Sequence, residues 1–297
     1  MKKKKKITHD ISVTAISLAV TVQDKKGRYI TDLTEEDFTV YENGKRKDIT
    51  YFSHDFEAPL SLTVLLDVSG SMAIQDKLEE SKEALRYLTT ILLDDEDEIS
   101  LLIFADEAVE VAAPFSKEKK ESMSFLEKTE AYGQTALNDA VAVSPQFANR
   151  GINKKRALVL ITDGIENDSR YSPEQAIEAA RRVDIPIYTI GYKIPLSERY
   201  IKKYKVRSGL SPSSIIDSLH RFSEATGGKA YFIDRPLELK NALRLIKREL
   251  SHQYIIGYTS YTDLRNDFRR IKVVTKKKKY RVRTREGYFA GEKKDNA

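Results

Sequence analysis

The sequence predicts an α/β protein: a doubly wound, mostly parallel sheet flanked by helices, inserted in a small β domain formed by strands from both ends of the chain. Three observations carry that prediction. Between Leu60 and Leu250, short apolar runs alternate with amphipathic segments of helical period. Before residue 58 and after residue 250, apolar residues instead alternate with polar ones. At 297 residues the chain exceeds one ordinary domain, and its 40% hydrophobic content supplies a core for one large unit and one small one.

The elements follow in order. Lys2 to Lys6 read as a disordered tail over residues 1–6. Ile11 to Gln23 carries no charge and has the length of a signal-peptide core, but Ile11, Val13, Ala15, Leu18, Val20 and Val22 largely alternate with Ser and Thr, which makes it a strand. Thr34 to Phe38 reads as one helical turn capped by Thr34, then Phe38 to Tyr41 as a strand. Asn43-Gly44 is a hairpin turn, since both residues tolerate positive φ, and Ile49 to Phe52 is the strand after it. Buried strands are expected at Leu62–Leu66, Ile99–Phe104, Ala157–Ile161 and Ile187–Ile190, with Ala108–Ala113 as an antiparallel strand at a sheet edge. Helices are expected near 76–92, 117–129, 136–149, 173–183, 213–226 and 236–250, with Pro173 in a first turn and Gly227-Gly228 as a stop. Strands return at Tyr254–Tyr258, Phe268–Val274 and Tyr280–Thr284. A few strands at each end are too small for a stable sheet alone, so residues 7–58 and 251–297 are expected to pair into one sandwich-like domain around an α/β domain at 59–250.

Composition excludes several chemistries. There are no cysteines, which removes disulfides, zinc-thiolate sites and thiol nucleophiles. The net charge of +6 is concentrated in Lys2–Lys6 and Lys276–Lys279, so the remaining surface is nearly balanced and no nucleic-acid partner is expected. No run reaches the roughly 18 apolar residues of a membrane-spanning helix. The acidic run Asp94 to Glu98 lacks the alternating ligands and central Gly of a calcium loop. The histidines, at positions 9, 54, 220 and 252, have no metal-binding spacing.

The chemistry concentrates where the strand Leu62–Leu66 runs into Asp67-Val68-Ser69-Gly70-Ser71-Met72. Ligand sites in open α/β sheets lie at such carboxyl ends. A carboxylate and two hydroxyls at alternating positions are hard oxygen donors, suited to Mg²⁺ and, less exclusively, to Mn²⁺ or Ca²⁺. Gly133-Gln134-Thr135 before a helix and Thr162-Asp163-Gly164 at a strand end supply more oxygens, so that Asp67, Ser69, Ser71, Thr135 and Asp163 can converge. In this pattern the chain resembles the von Willebrand factor A domain and its metal-ion-dependent adhesion site, written D-x-S-x-S with a distant Thr and Asp. All five positions match. The resemblance implies that Ser69, Ser71 and Thr135 hold the cation directly, that Asp67 and Asp163 act largely through water, and that one position stays open for an Asp or Glu of a protein partner.

A wider resemblance, to the bacterial proteins labelled von Willebrand factor A related and first described from acidobacteria, covers nearly the whole chain. It rests on Val20 to Gly27 with Leu33 to Phe38 at the front, and on Gln253 to Tyr258 with Arg285 to Phe289 at the tail. It implies export, although no convincing signal peptide precedes the first strand.

The expected function is therefore non-enzymatic adhesion through a cation. A scaffold whose metal only stabilises the fold is the alternative, and a hydrolase the lesser one. An aspartyl-phosphate phosphatase needs a second Asp where Ser69 stands, and neither a G-x-S-x-G elbow nor a Walker A motif is present. Asp139 reads as a helix-surface or helix-capping residue rather than a ligand, and Glu166, Asn167 and Asp168 as a solvated loop, with the rim of the site as their alternative. Residues 193–214, rich in Lys, Arg, Tyr and Ser, form a long connection read as a solvated insertion.

Overall fold

The structure is a computed structural model and describes residues 11–106, 108–195, 211–263 and 267–290. The lysine tail and most of the expected insertion lie outside these residues. The strands are β1 (Ile11–Gln23), β2 (Phe38–Glu42), β3 (Lys45–Lys47), β4 (Ile49–Ser53), β5 (Leu60–Asp67), β6 (Glu98–Ala105), β7 (Ala108–Ser116), β8 (Lys155–Thr162), β9 (Ile187–Tyr192), β10 (Ala230–Ile233), β11 (Tyr254–Asp263), β12 (Asp267–Thr275), β13 (Arg281–Arg283) and β14 (Gly287–Ala290). The helices are α1 (Lys77–Tyr87), α2 (Lys119–Glu127), α3 (Leu137–Ala148), α4 (Pro173–Ala180), α5 (Pro212–Thr226) and α6 (Pro236–Ser251). Helix α1 ends in a π-helical turn over Leu88–Leu92.

The central sheet has the order β10-β9-β8-β5-β6-β7, parallel except for β7 on the edge. Its inner strands β5, β6, β8 and β9 are buried almost throughout because helices cover both faces, and their side chains divide between the faces with period two. Leu62, Val64 and Leu66 join Ala157, Val159 and Ile161 in a core with α1, α2 and α6. Leu65, Leu158 and Leu160 join a second core with α3, α4 and α5. The chain leaves β5 toward β6 and later returns on the other side as β8, so β5 and β8 are neighbours whose following helices, α1 and α4, cover opposite faces. A crevice opens at such a switch point, beyond the carboxyl ends of the strands.

Strands from both ends of the chain build two antiparallel four-stranded sheets, ordered β13-β1-β11-β4 and β14-β12-β2-β3. They share one apolar cluster containing Leu18, Val20, Val40, Tyr254, Ile256 and Val273. The expected hairpin at Asn43-Gly44 forms, but its partner strand is the short β3; Ile49–Ser53 crosses to the other sheet and pairs with β11. Alternation alone could not reveal that switch, because β4 is a half-exposed edge strand in either position.

The sandwich meets the central sheet near the amino ends of its strands. Glu249, near the end of α6 and 1% exposed, accepts a hydrogen bond from Tyr188 Oη at 2.6 Å and pairs with Arg283 of β13. Arg283 Nη1 also donates to the Gly228 carbonyl at 2.6 Å, and Arg285 pairs with Asp184 at 3.3 Å. The carboxyl ends of β5 and β8 lie at the other end of the sheet, about 25 Å away at 3.3 Å per residue.

Between the sandwich sheets, Glu42 is 3% exposed and accepts hydrogen bonds from Tyr288 Oη (2.8 Å), Ser260 Oγ (2.9 Å), Tyr258 Oη (2.9 Å) and Arg269 Nη1 (3.1 Å). Burial alone would raise its pKa, but these bonds outweigh burial and bring it from the ordinary 4.5 down to about 2. A lowered folded-state pKa stabilises fully above about pH 4.5 and is lost as pH falls toward 2, a contribution of about 3 kcal/mol. Glu42→Gln should therefore cost about that much at pH 7, and the gap between the two proteins should narrow below about pH 4.5 and close only below about pH 2. Urea unfolding across this range measures it.

Candidate metal centre

Strand β5 pairs in parallel with β8 in a register that sets Leu66 beside Ile161, so Asp67 and the Thr162-Asp163 step leave the sheet side by side. Both carboxylates are fully buried. Asp67 is held at both oxygens: Oδ1 accepts from the backbone N–H of Ser69 at 2.9 Å, and Oδ2 accepts from Thr162 Oγ1 at 2.6 Å. Thr162 Oγ1 in turn accepts from Gly164 N at 2.9 Å, and Asp163 Oδ1 from Ile165 N at 3.1 Å. These are side-chain-closed turns of the kind Asp, Ser and Thr favour where a strand must stop. The other Asp163 oxygen, Oδ2, pairs with the ammonium of Lys77, the first residue of α1.

Ser69 is buried, Ser71 half-buried and Gly70 exposed, so the turn runs from the crevice out to solvent. The hydroxyls of Ser69 and Ser71 are 3.2 Å apart. The loop before α3 is tied to the same turn: Tyr132 N donates to the Val68 carbonyl at 2.8 Å and Gly70 N to the Gly133 carbonyl at 3.1 Å. Asp106, just beyond β6, accepts from Gln134 N at 2.6 Å, and its own N–H donates to the Gln134 carbonyl at 2.8 Å. Thr135 is 1% exposed; its N–H donates to Asn167 Oδ1 at 2.7 Å, and its carbonyl accepts from Asn167 N and Asp168 N, each at 3.1 Å.

All five residues singled out from the sequence thus lie at the carboxyl ends of the central strands or on the loop bonded to them. Asp67 and Asp163 face one another closely enough that, after burial itself, the charge of Asp163 is the largest influence raising the pKa of Asp67 well above the carboxylate range. Two buried acids with one buried ammonium and several hydroxyls form an oxygen donor set that a hard divalent cation would relieve electrostatically. Among the described residues, no group of three or more His, Cys, Asp or Glu side chains is placed to hold a metal, so any cation here depends on hydroxyl oxygens as well.

Two residues escaped the sequence reading, and two more fell to the alternative it weighed less. Lys77 shows no local pattern that would link it to Asp163. Thr162 lay inside the Thr-Asp-Gly segment but as a neighbour rather than a bonding partner. Glu166 and Asn167, expected in a solvated loop, are wired into the site: Glu166 accepts from Asn138 N (3.1 Å), Ser169 N (2.9 Å) and Ser169 Oγ (2.6 Å). Asp139 caps the same loop by accepting from Arg170 N at 3.0 Å and Tyr171 N at 2.8 Å, close to its expected capping role.

Residues 62–166, which contain all five of these positions, match the family model of the von Willebrand factor type A domain. An uncharacterized protein of Borreliella burgdorferi is 25% identical over 205 residues, which make up 63% of this chain and 58% of that protein, less than two thirds of its length. Among solved structures, a von Willebrand factor type A protein from Catenulispora acidiphila is similar over 92% of this chain and 71% of its own, with a TM-score of 0.52 and 12% identity. The pilus adhesin SpaC from Lactobacillus rhamnosus GG, in an open conformation, matches 92% of this chain and 48% of its own at 0.51 and 8%. The conserved hypothetical protein BatB from Bacteroides thetaiotaomicron matches 65% of this chain and 98% of its own at 0.50 and 19%. At such identities the likeness is one of fold.

Gly133 has φ +67°, and a Cβ there would run into the Asp106 carboxylate. Gly133→Ala should cost about 1–3 kcal/mol from the strained backbone and the displaced acid. Urea unfolding of the variant beside Asp106→Ala/Gly133→Ala measures it, the double variant recovering the part due to the clash.

Proposed function

We propose that this chain is a non-enzymatic, adhesion-type interaction module. It binds a divalent cation through Asp67, Ser69, Ser71, Thr135 and Asp163, and a partner protein's Asp or Glu through that cation. Mg²⁺ is the first choice, with Mn²⁺ and Ca²⁺ as the alternatives. The observation that carries the reading is the pair of fully buried carboxylates, Asp67 and Asp163, set beside the Ser69 and Ser71 hydroxyls at the switch point of the sheet. When bound, a cation would supply positive charge that neutral hydroxyls leave partly uncompensated, the condition for attracting an anionic side chain.

The chain's own residues suit that role. Gly70 and the half-buried Ser71 leave the crevice open on one side. Tyr132 and Tyr171, on the two loops that border it, are 42% and 44% exposed, and aromatic side chains of this kind are enriched in protein interfaces. Among the described residues nothing resembles a nucleophile with its base: Ser69 and Ser71 approach each other, His54 and His252 pack on Phe56, and His220 packs on Phe232. SpaC is described as a pilus adhesin, an analogy of fold that agrees with the reading. The motifs flanking the domain support placement in the bacterial von Willebrand factor A related group, and no helix among the described residues is long and apolar enough to cross a membrane.

One observation favours the scaffold reading instead. Lys77 already pairs with Asp163, so the acid pair is partly neutralised without any metal.

Thermal unfolding in chelator and then in excess Mg²⁺ or Mn²⁺ tests the cation site itself. The wild type should be stabilised by about 2.7 kcal/mol at a hundredfold excess over Kd, a rise of a few degrees in Tm. Asp67→Asn, which preserves the shape of the turn, should show no rise. Equal behaviour of both proteins would overturn the cation site, whereas partner binding unchanged in a folded Ser69→Ala would favour the scaffold.

The terminal segments 7–58 and 251–297 are proposed to be one domain presenting 59–250 as the other. The fragment 251–297 should therefore be unstructured when expressed alone and should fold on mixing with 7–58. A folded isolated fragment, seen by circular dichroism, would contradict that partition.

A further inference from the structure

Lys77 is 1% exposed, and its ammonium is paired with a carboxylate that is 0% exposed. A lysine is buried to this extent only when its charge is matched. Here the match is one of the two acids of the crevice, so any divalent cation binding there meets a positive charge already in place. The approach to Lys77 is also constrained. Gln75 and Asp76 have φ of 59° and 55°, a left-handed conformation that non-glycine residues seldom adopt, least of all in succession. Lys193 Nζ, at the end of β9, donates to the Gln75 carbonyl at 2.9 Å and pairs with Glu80, which also accepts from Tyr192 Oη. The chain therefore enters α1 in a fixed, strained path that delivers the Lys77 side chain to Asp163.

We propose that Lys77 is a resident counter-ion of the site. It holds Asp163 when no divalent cation is bound, competes with the cation for that carboxylate, and so lowers the cation affinity of the site. This inference rests on the cation-binding reading above. Its physical content is simple: Asp67 and Asp163 bring two negative charges, Lys77 returns one positive charge, and a buried like-charge neighbour weakens cation binding far more than an exposed one. A purely structural ion pair would give no such competition.

The test titrates the full-length chain with Mn²⁺, following free Mn²⁺ by electron paramagnetic resonance. Lys77→Met should bind Mn²⁺ about tenfold or more tightly than the wild type, and Lys77→Arg, which keeps the charge, should return to within a factor of about three of the wild-type Kd. Wild type and Lys77→Met binding with equal Kd would overturn this inference and leave the cation reading standing. No binding by either would overturn both. Lys77→Arg behaving like Lys77→Met would also overturn it, because packing rather than charge would then be responsible. Should Lys77→Met fail to fold, the wild type still decides: the Lys77 side-chain ¹⁵Nζ resonance, assigned by its loss in Lys77→Arg, should shift on saturation with Mg²⁺. An unchanged resonance in a protein that has bound Mg²⁺ would overturn the competition.

Discussion

Parallel pairing of β5 with β8 brings Asp67 and Asp163 out of the sheet next to each other, in a corner that water does not reach. Two buried like charges repel by several kcal/mol at the dielectric of a protein interior, and much of the surrounding structure answers that cost. Ser69 N and Thr162 Oγ1 are spent on Asp67, while Ile165 N and the Lys77 ammonium are spent on Asp163. The turns that end both strands are closed by these same acids. The carboxylates are thus at once the source of electrostatic stress and the caps that let the strands stop there.

The rest of the molecule leaves this end of the sheet clear. The two antiparallel sheets built from the chain's ends attach near the amino ends of the central strands through Glu249, Arg283, Tyr188 and the Arg285–Asp184 pair. Burying Glu249 there is tolerable only because its charge is matched by Arg283 and its oxygen is hydrogen-bonded to Tyr188. Helix α6 passes directly from the central sheet's helical layer into β11, so the junction is continuous chain as well as packed side chains. A rigid mount at one end and open loops at the other is an economical arrangement for presenting a site.

What was legible in the sequence was whatever repeats along the chain. Apolar runs gave four of the five parallel strands to within a residue or two, missing the short edge strand β10; helical periodicity gave every described helix, and the alternation in Ile11–Gln23 gave β1. The candidate site residues were legible because each sits at a strand end or loop with its own short motif. What was not legible was long-range polar pairing. Lys77 lies ten residues beyond Asp67 and eighty-six before its partner Asp163, with nothing local to distinguish it from Lys82, the other lysine of α1. The same holds for Asn167, whose bond to Thr135 N spans thirty-two positions. The crossing of Ile49–Ser53 to the second sheet escaped for a different reason, since an edge strand with half-exposed faces suits either sheet equally.

The choice of hydroxyls over further acids at this site has a consequence for charge. Were Ser69 and Ser71 carboxylates, four acids would enclose the corner, a bound divalent cation would be over-neutralised, and nothing would remain to draw an anion from outside. With hydroxyls in those places the buried side chains total two negative charges and one positive once both acids are ionised. A divalent cation bound among them, on the proposed reading, would bring the sum to plus one. An incoming carboxylate would then restore neutrality. Lys77 therefore acts in opposite directions on the two binding events: it opposes the cation and favours the anion that follows. A site arranged in this way gives up cation affinity in exchange for a stronger pull on a partner's Asp or Glu, which is the balance expected of a surface that holds proteins rather than metals.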